Sequence, residues 1–123
     1  MKPLKLIFLC CFAFSVLGCS QEDINYEDKL RMQLETAKPG DVIQIPEGLF
    51  NFKRSLVMNS DNVTIIGQGM DKSVLSFAGQ IAGAEGLSVN ASDFTIQDLA
   101  IEDTIGDALK VNEGNNIVIR RVR

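Results

Sequence analysis

Leu87-Ser88-Val89-Asn90 returns 22 residues later as Leu109-Lys110-Val111-Asn112, and Phe94-Thr95-Ile96 returns 23 residues later as Ile117-Val118-Ile119, with Leu99 answered by Val122. Apolar residues recur at every second position within each copy. Side chains along a strand point to opposite faces, so one face of every copy lines a common interior. Alternating runs separated by short Asn, Asp and Gly turns at a fixed period are what a solenoid needs to stack one supersecondary unit on the next.

Working outward, an earlier and looser turn falls on the same frame. Val63-Thr64-Ile65-Ile66 before Gly67 matches Phe94-Thr95-Ile96-Gln97 before Asp98, and Val74-Leu75-Ser76-Phe77 is laid on Leu99-Ala100-Ile101-Glu102. The interval from Val63 to Phe94 is 31 residues, and the surplus is the small-residue stretch Gly79 to Gly86, an insertion of the kind that solenoids confine to loops. Three strands per coil follow: 63–66, 74–77 and 87–89, then 94–97, 99–102 and 109–111, then 116–119. Parallel strands need crossover connections, which the rest of each turn supplies. The expected fold is all-β, a right-handed parallel β-helix with Phe94, Ile96, Leu99, Ile101, Leu109, Val111, Ile117 and Ile119 inside.

Both ends of the coil bear on this reading. Tyr26, Leu30, Leu34 and Ala37 recur at helical spacing until Pro39-Gly40, which predicts a capping helix over residues 26–40. A solenoid needs such a cap, because its first coil exposes apolar interior and unpaired strand edge. Asp41-Val42-Ile43-Gln44-Ile45-Pro46 and Leu49-Phe50-Asn51-Phe52 then open the coils, which run over 41–123. Val122 falls where another strand begins, with no turn, charge run or cap after it. Three to four coils at roughly 4.8 Å per strand make a stub about 15 to 20 Å long. The expectation is therefore the N-terminal part of a longer protein, with a truncated product or end-to-end assembly as alternatives.

At the N-terminus, Lys2 and Lys5 precede the apolar run Leu6 to Val16, too short to span a bilayer and ending in small residues, as a secretory signal does. Val16-Leu17-Gly18-Cys19 resembles the lipobox of bacterial lipoproteins. That resemblance implies removal of residues 1–18, acylation of Cys19 and a linker over 19–25. Ser20, in place of an aspartate, implies sorting to the outer membrane, the periplasmic or surface side being open. The membrane partner is thus reached through lipid on Cys19, and several acyl chains hold firmly where one holds marginally.

Cys10 and Cys11 leave with the signal, so the mature chain keeps neither free thiol nor disulfide. The sequence contains no histidine, which removes the commonest general base and metal ligand. With Lys2 and Lys5 gone, 10 basic side chains face 16 acidic ones, a net charge of −6. Such a surface does not attract nucleic acid.

The run from Lys38-Pro39-Gly40-Asp41-Val42-Ile43 through Asn62-Val63-Thr64-Ile65-Ile66-Gly67-Gln68-Gly69 to the twin Leu-x-Val-Asn turns resembles bacterial lipoproteins of the parallel β-helix repeat family. These are similar in fold to pectate lyases, alginate epimerases and the periplasmic copper-site maturation protein of nitrous oxide reductase. The resemblance implies a polysaccharide partner and a cleft on the outer face of the strand that carries Lys110. Lys110 and Ser88 are its ligand-facing candidates, Lys110 as a counter-charge to a uronate carboxylate; a solvated surface lysine is the competing reading. Asn90 and Asn112 are expected to stack at equivalent turn positions, where asparagine tolerates left-handed geometry. Gly67, with Gly69, belongs to a turn, since the glycine and lysine of a nucleotide loop do not follow.

Asp98, Glu102, Asp103 and Asp107 gather around one loop without calcium-loop spacing and read as a solvated turn, so no metal and no cofactor are expected. Arg120, Arg121 and Arg123 read as two outward strand positions and one turn position, ahead of an anion-binding edge. Two functions remain. One is a lyase or epimerase whose base and cations lie on coils further along. The other is a non-catalytic envelope protein that binds glycan or protein along its flank. Catalysis needs convergent charge-neutralising and proton-transferring groups, and these residues do not supply such a set.

Overall fold

Three kinds of strand repeat around the coil, and each pairs in parallel only with its own kind in neighbouring coils. The computed structural model describes residues 25–123; the expected signal 1–18, Cys19 and the linker as far as Ile24 lie outside the described residues. The first coil holds β1 (Val42–Gln44), β2 (Gly48–Asn51) and β3 (Arg54–Met58). The second holds β4 (Thr64–Ile66), β5 (Ser73–Ser76) and β6 (Ala82–Asn90). The third holds β7 (Phe94–Glu102), which turns a corner within its length, and β8 (Leu109–Glu113); β9 (Ile117–Val122) starts the next. β1, β4, β7 and β9 form one face, β2, β5 and the second half of β7 another, and β3, β6 and β8 the third. The result is a parallel β-solenoid of about three turns.

The doubled motif pairs in the expected register except at Asn90, which after a shift lies beside Glu113 in place of Asn112. Leu87 lies beside Leu109, Val89 beside Val111, Phe94 beside Ile117, Ile96 beside Ile119 and Leu99 beside Val122. Interior rows run along the axis: Ile43, Ile65 and Ile96 in one, Leu56 and Leu87 in a second, Met58 and Val89 in a third, all buried.

One expected alignment is off by a residue. Val74 pairs with Ala100 and Leu75 with Ile101, so Val74 does not lie on Leu99. Because the side-chain period is two, the slip exchanges faces: Leu75 turns inward and Ser73 becomes an interior residue with no exposure. Its hydroxyl accepts from Gln68 N–H at 2.8 Å and lies 3.1 and 3.0 Å from the carbonyl oxygens of Ile45 and Pro46, so burial leaves it satisfied. The expected alignment would have turned Ser76 inward and Leu75 and Phe77 outward, whereas both of these apolar side chains are buried; the alignment between coils is what fails, not the alternation within β5.

The cap is shorter than the expected 26–40. Helix α1 spans Tyr26–Glu35, with the Asn25 side chain accepting from Glu27 N–H at 3.2 Å and acidic Glu27 and Asp28 in its first turn, where they suit the helix dipole. Leu30 and Leu34 are buried against the first coil. Glu27 is buried too, and one carboxylate oxygen accepts from the N–H groups of Lys53 and Arg54, each at 3.1 Å, and from Arg31 at 3.1 Å. Arg31 also donates to the Ser55 carbonyl at 2.9 Å. Side chains of the helix thus answer backbone groups that the first coil leaves without a neighbouring strand.

At the other end, half of the eight expected interior positions differ. Phe94, Ile96, Leu99 and Ile101 are buried, whereas Leu109 and Ile117 are half-buried and Val111 and Ile119 are 39% and 53% exposed. The four exceptions stand in register over buried partners but have a coil on one side only.

Candidate functional site

The outward side of β3, β6 and β8 is built by the same alternation that fills the core. Leu56, Leu87 and Leu109 form one inward row, and Met58, Val89 and Val111 form another. Between them Val57, Ser88 and Lys110 form an outward row. Lys110 Nζ lies 3.5 Å from a Glu85 carboxylate oxygen. The Glu85 carboxyl is held below its usual range chiefly by its own backbone N–H, which desolvation opposes, with lesser contributions in the same downward direction from the Ala84 N–H and the Lys110 ammonium. The charge of Lys110 is therefore matched within the protein.

A row of amides runs beside this ladder. Asn112 Nδ2 donates to Asn90 Oδ1 at 3.0 Å and to Ser88 Oγ at 2.6 Å, and Asn90 Nδ2 donates to Asn59 Oδ1 at 2.9 Å. The Asn90 and Asn112 amides are hydrogen-bonded, but a shift in register sets the Asn90 backbone beside Glu113, and both asparagines lie within strands β6 and β8, outside the turn. The left-handed positions are Asn62, Asp93 and Asn116, with φ of 58°, 54° and 60°, each immediately before the first apolar residue of a repeat. Asn116 Nδ2 donates to Asp93 Oδ1 at 2.8 Å. Those three residues are visible in the sequence as the residue before Val63, Phe94 and Ile117, a signal that the stronger Leu-x-Val-Asn match obscures.

Between the amide row and this corner lies a polar hollow of about 280 Å³, lined by Asp61, Asn90, Ser92, Glu113, Gly114 and Asn115 among others. Ser92 N–H donates to Asp61 Oδ1 at 2.8 Å and Asn115 N–H to Ser92 Oγ at 3.0 Å, so part of its lining is already committed to stacking the turns. Amides, hydroxyls and carboxylates at such a surface suit hydrogen bonding to a hydroxyl-rich ligand.

Gly67 stands at another corner, where its N–H donates to the Gln97 carbonyl at 2.9 Å. A Cβ there would strike the Asp98 carbonyl oxygen, so glycine is required by close approach of the next coil. The equivalent corner positions above it are Asp98 and Arg121, both with positive φ, at 62° and 52°. Arg121 grips Asp98 with two bonds of 2.5 and 3.0 Å, and that hydrogen bonding is the main cause of a depressed Asp98 pKa. Arg123 pairs with Glu102 at 2.7 Å and with Asp71 at 3.5 Å. The acidic residues of this loop are thus divided: Asp98 and Glu102 face arginines, and Asp103 and Asp107 are exposed. Among the described residues no three His, Cys, Asp or Glu side chains gather as a metal site.

No protein-family model, curated protein or solved structure matches this chain. The chemistry of the flank is read from its own residues.

Proposed function

We propose that this chain forms the solenoid of a membrane-anchored bacterial envelope lipoprotein, which binds glycan along its outer flank without transforming it. The observation that carries the reading is the row Asn59, Asn90 and Asn112 with Ser88 beside it. One amide per coil, repeated at about 4.8 Å and bonded to the next, presents the donors and acceptors that the ladder leaves unused to a polymer whose hydroxyls also recur. Lys110 is already matched by Glu85, which favours a glycan that is not uniformly acidic. Proton abstraction beside a uronate carboxylate needs a base and a free cation to hold the developing charge, and this flank pairs its one lysine internally.

Binding is tested by titrating neutral and acidic polysaccharides into the labelled protein and following amide shifts. Asn90→Ala with Asn112→Ala should weaken binding at least tenfold while the protein stays folded, with a melting temperature lowered only by the loss of the hydrogen bonds along the amide row. Wild-type protein that binds no glycan at all would refute the reading, and so would unsaturated products from pectate or alginate that vanish in Lys110→Ala. Anchoring is tested separately: Cys19→Ala should abolish palmitate incorporation and release the protein from the membrane fraction. Persistent labelling of that variant would remove Cys19 as the anchor.

A further inference from the structure

Two isoleucines stand almost wholly in solvent on one corner of the solenoid, Ile81 at 80% and Ile105 at 69% exposure. They belong to successive coils. The Ile81 and Ala82 N–H groups donate to the Lys53 carbonyl of the first coil at 2.8 and 3.2 Å. Ile105 N–H donates to Gln80 Oε1 at 3.4 Å, and Gly106 N–H to the Ala84 carbonyl at 2.8 Å. Lys53, Ile81 and Ile105 therefore climb one corner, between the β2-β5 face and the β3-β6-β8 face. The loops that carry them are fixed: the buried Gln80 amide donates to Ser55 Oγ at 3.1 Å and to the Glu85 carbonyl at 2.9 Å, and Ser55 Oγ bonds that same carbonyl at 2.6 Å. A single exposed isoleucine needs no explanation, but two held outward on stacked, well-bonded loops make an apolar ridge.

The position of this ridge says what it meets. Glu27, in the first turn of α1, accepts from Lys53 and Arg54 N–H, so the chain arriving from Cys19 enters the solenoid at this corner. Residues 20–25 span at most about 20 Å even when fully extended. If Cys19 is acylated, the corner stays within about that distance of the bilayer. Exposed Lys53 and Arg54 lie at the foot of the ridge, where long cationic side chains reach phosphate headgroups. Exposed Asp103 and Asp107 flank Ile105, so the corner has little net charge to contribute and apolar contact dominates.

We infer that this corner is a membrane-contact ridge: Ile81 and Ile105 enter the interface of the bilayer that holds the Cys19 lipid, laying the solenoid axis along the membrane. The amide row, at the far edge of the β3-β6-β8 face, then points away from the lipid. This inference rests on the anchoring reading above.

The test uses the lipidated full chain in phosphatidylcholine vesicles that contain nitroxide-labelled lipid. A single thiol is introduced by Ile105→Cys, or by Ser92→Cys as a control at the corner beside the polar hollow, and labelled with an environment-sensitive fluorophore. Emission from position 105 should be blue-shifted and quenched severalfold more than from position 92, and high salt should not reverse this, because apolar burial is insensitive to screening. Equal quenching at the two positions in a chain that is acylated and sediments with vesicles would overturn the ridge and leave the anchor standing. Shielding of position 105 without nitroxide quenching would assign the ridge to a protein contact and overturn it equally. A chain with no acyl mass on Cys19 that fails to sediment with vesicles would overturn the anchoring reading and, with it, this one.

Discussion

Tyr26 is the only tyrosine of the chain, and its ring lies over Phe50 with centroids 4.0 Å apart and edge-on to Phe52 at 6.3 Å. Its hydroxyl is buried without a hydrogen-bond partner among the described residues. Desolvation pushes its pKa up to about 12. The unfolded chain releases the same proton near pH 10, so the folded state holds it through a window in which the unfolded state has lost it. The stability linked to Tyr26 is intact below about pH 10 and is lost as pH rises toward 12. The difference between wild type and Tyr26→Phe isolates the effect: the variant's melting temperature should fall less over that interval. At neutral pH the substitution should be neutral or stabilising by about 1 kcal/mol, since it removes an unpaired polar group. Phenol absorbance that titrates near 10 in the folded protein would show that the ring is solvated. At the acid end the sign is reversed. Asp98, depressed chiefly by its bonds to Arg121, adds stability above the ordinary carboxylate range that is lost as pH falls through its lowered value.

Among the elements, α1 depends on a single carboxylate. Glu27→Ala leaves the part-buried N–H groups of Lys53 and Arg54 without their acceptor and should cost about 1–3 kcal/mol in denaturant unfolding. Glu27→Gln, which keeps an oxygen in place, should cost less. Equal losses would mean that the charge toward Arg31, rather than acceptance from the strand, is what matters. How far such elements are legible in the sequence varies with chemistry. The strands of the doubled motif are legible because apolar residues fall on the inward face at every second position and return after 22 or 23 residues. β5 is placed one residue off because the turn between β4 and β5 is longer than the corner inside β7, and spacing does not fix register across unequal turns; within β5 Leu75 points inward as the rule requires, beside a Ser73 whose hydroxyl finds partners across the turn. β3 receives no strand assignment from the sequence, although Leu56 and Met58 alternate, because the repeat on which its partners align is interrupted by the surplus loop after β5. The flank is legible as a row, Ser88 with Lys110 and Asn90 with Asn112, but not in its bonding. That Lys110 is matched by Glu85 depends on how the inserted loop folds back, and the exposure of Ile81 and Ile105 depends on Gln80 fastening that loop to Ser55.

On the scale of the whole molecule, a solenoid is held together one coil at a time, so the same substitution at equivalent positions should have effects set by its neighbours. Ile96 and Ile119 test this directly, because they pair in register on adjacent coils yet differ from complete burial to 53% exposure. Ile96→Asp places a carboxylate between Ile65 and Ile119 in the interior row, with no polar partner, and should cost several kcal/mol, enough to unfold a small domain. Ile119→Asp on the 123-residue chain should cost less than about 1 kcal/mol, within the usual range for surface sites. Urea unfolding of both variants gives the comparison, and sedimentation of the wild type supplies the second reading. A dilute monomer with the predicted difference fits an open final coil. If Ile119→Asp is as damaging as Ile96→Asp and the wild-type melting temperature rises with protein concentration, then copies cover one another at that end, because linkage to association makes apparent stability depend on concentration. Equal damage with no concentration dependence would instead mean that Ile119 packs within the monomer, and the register assigned to β9 would have to be abandoned.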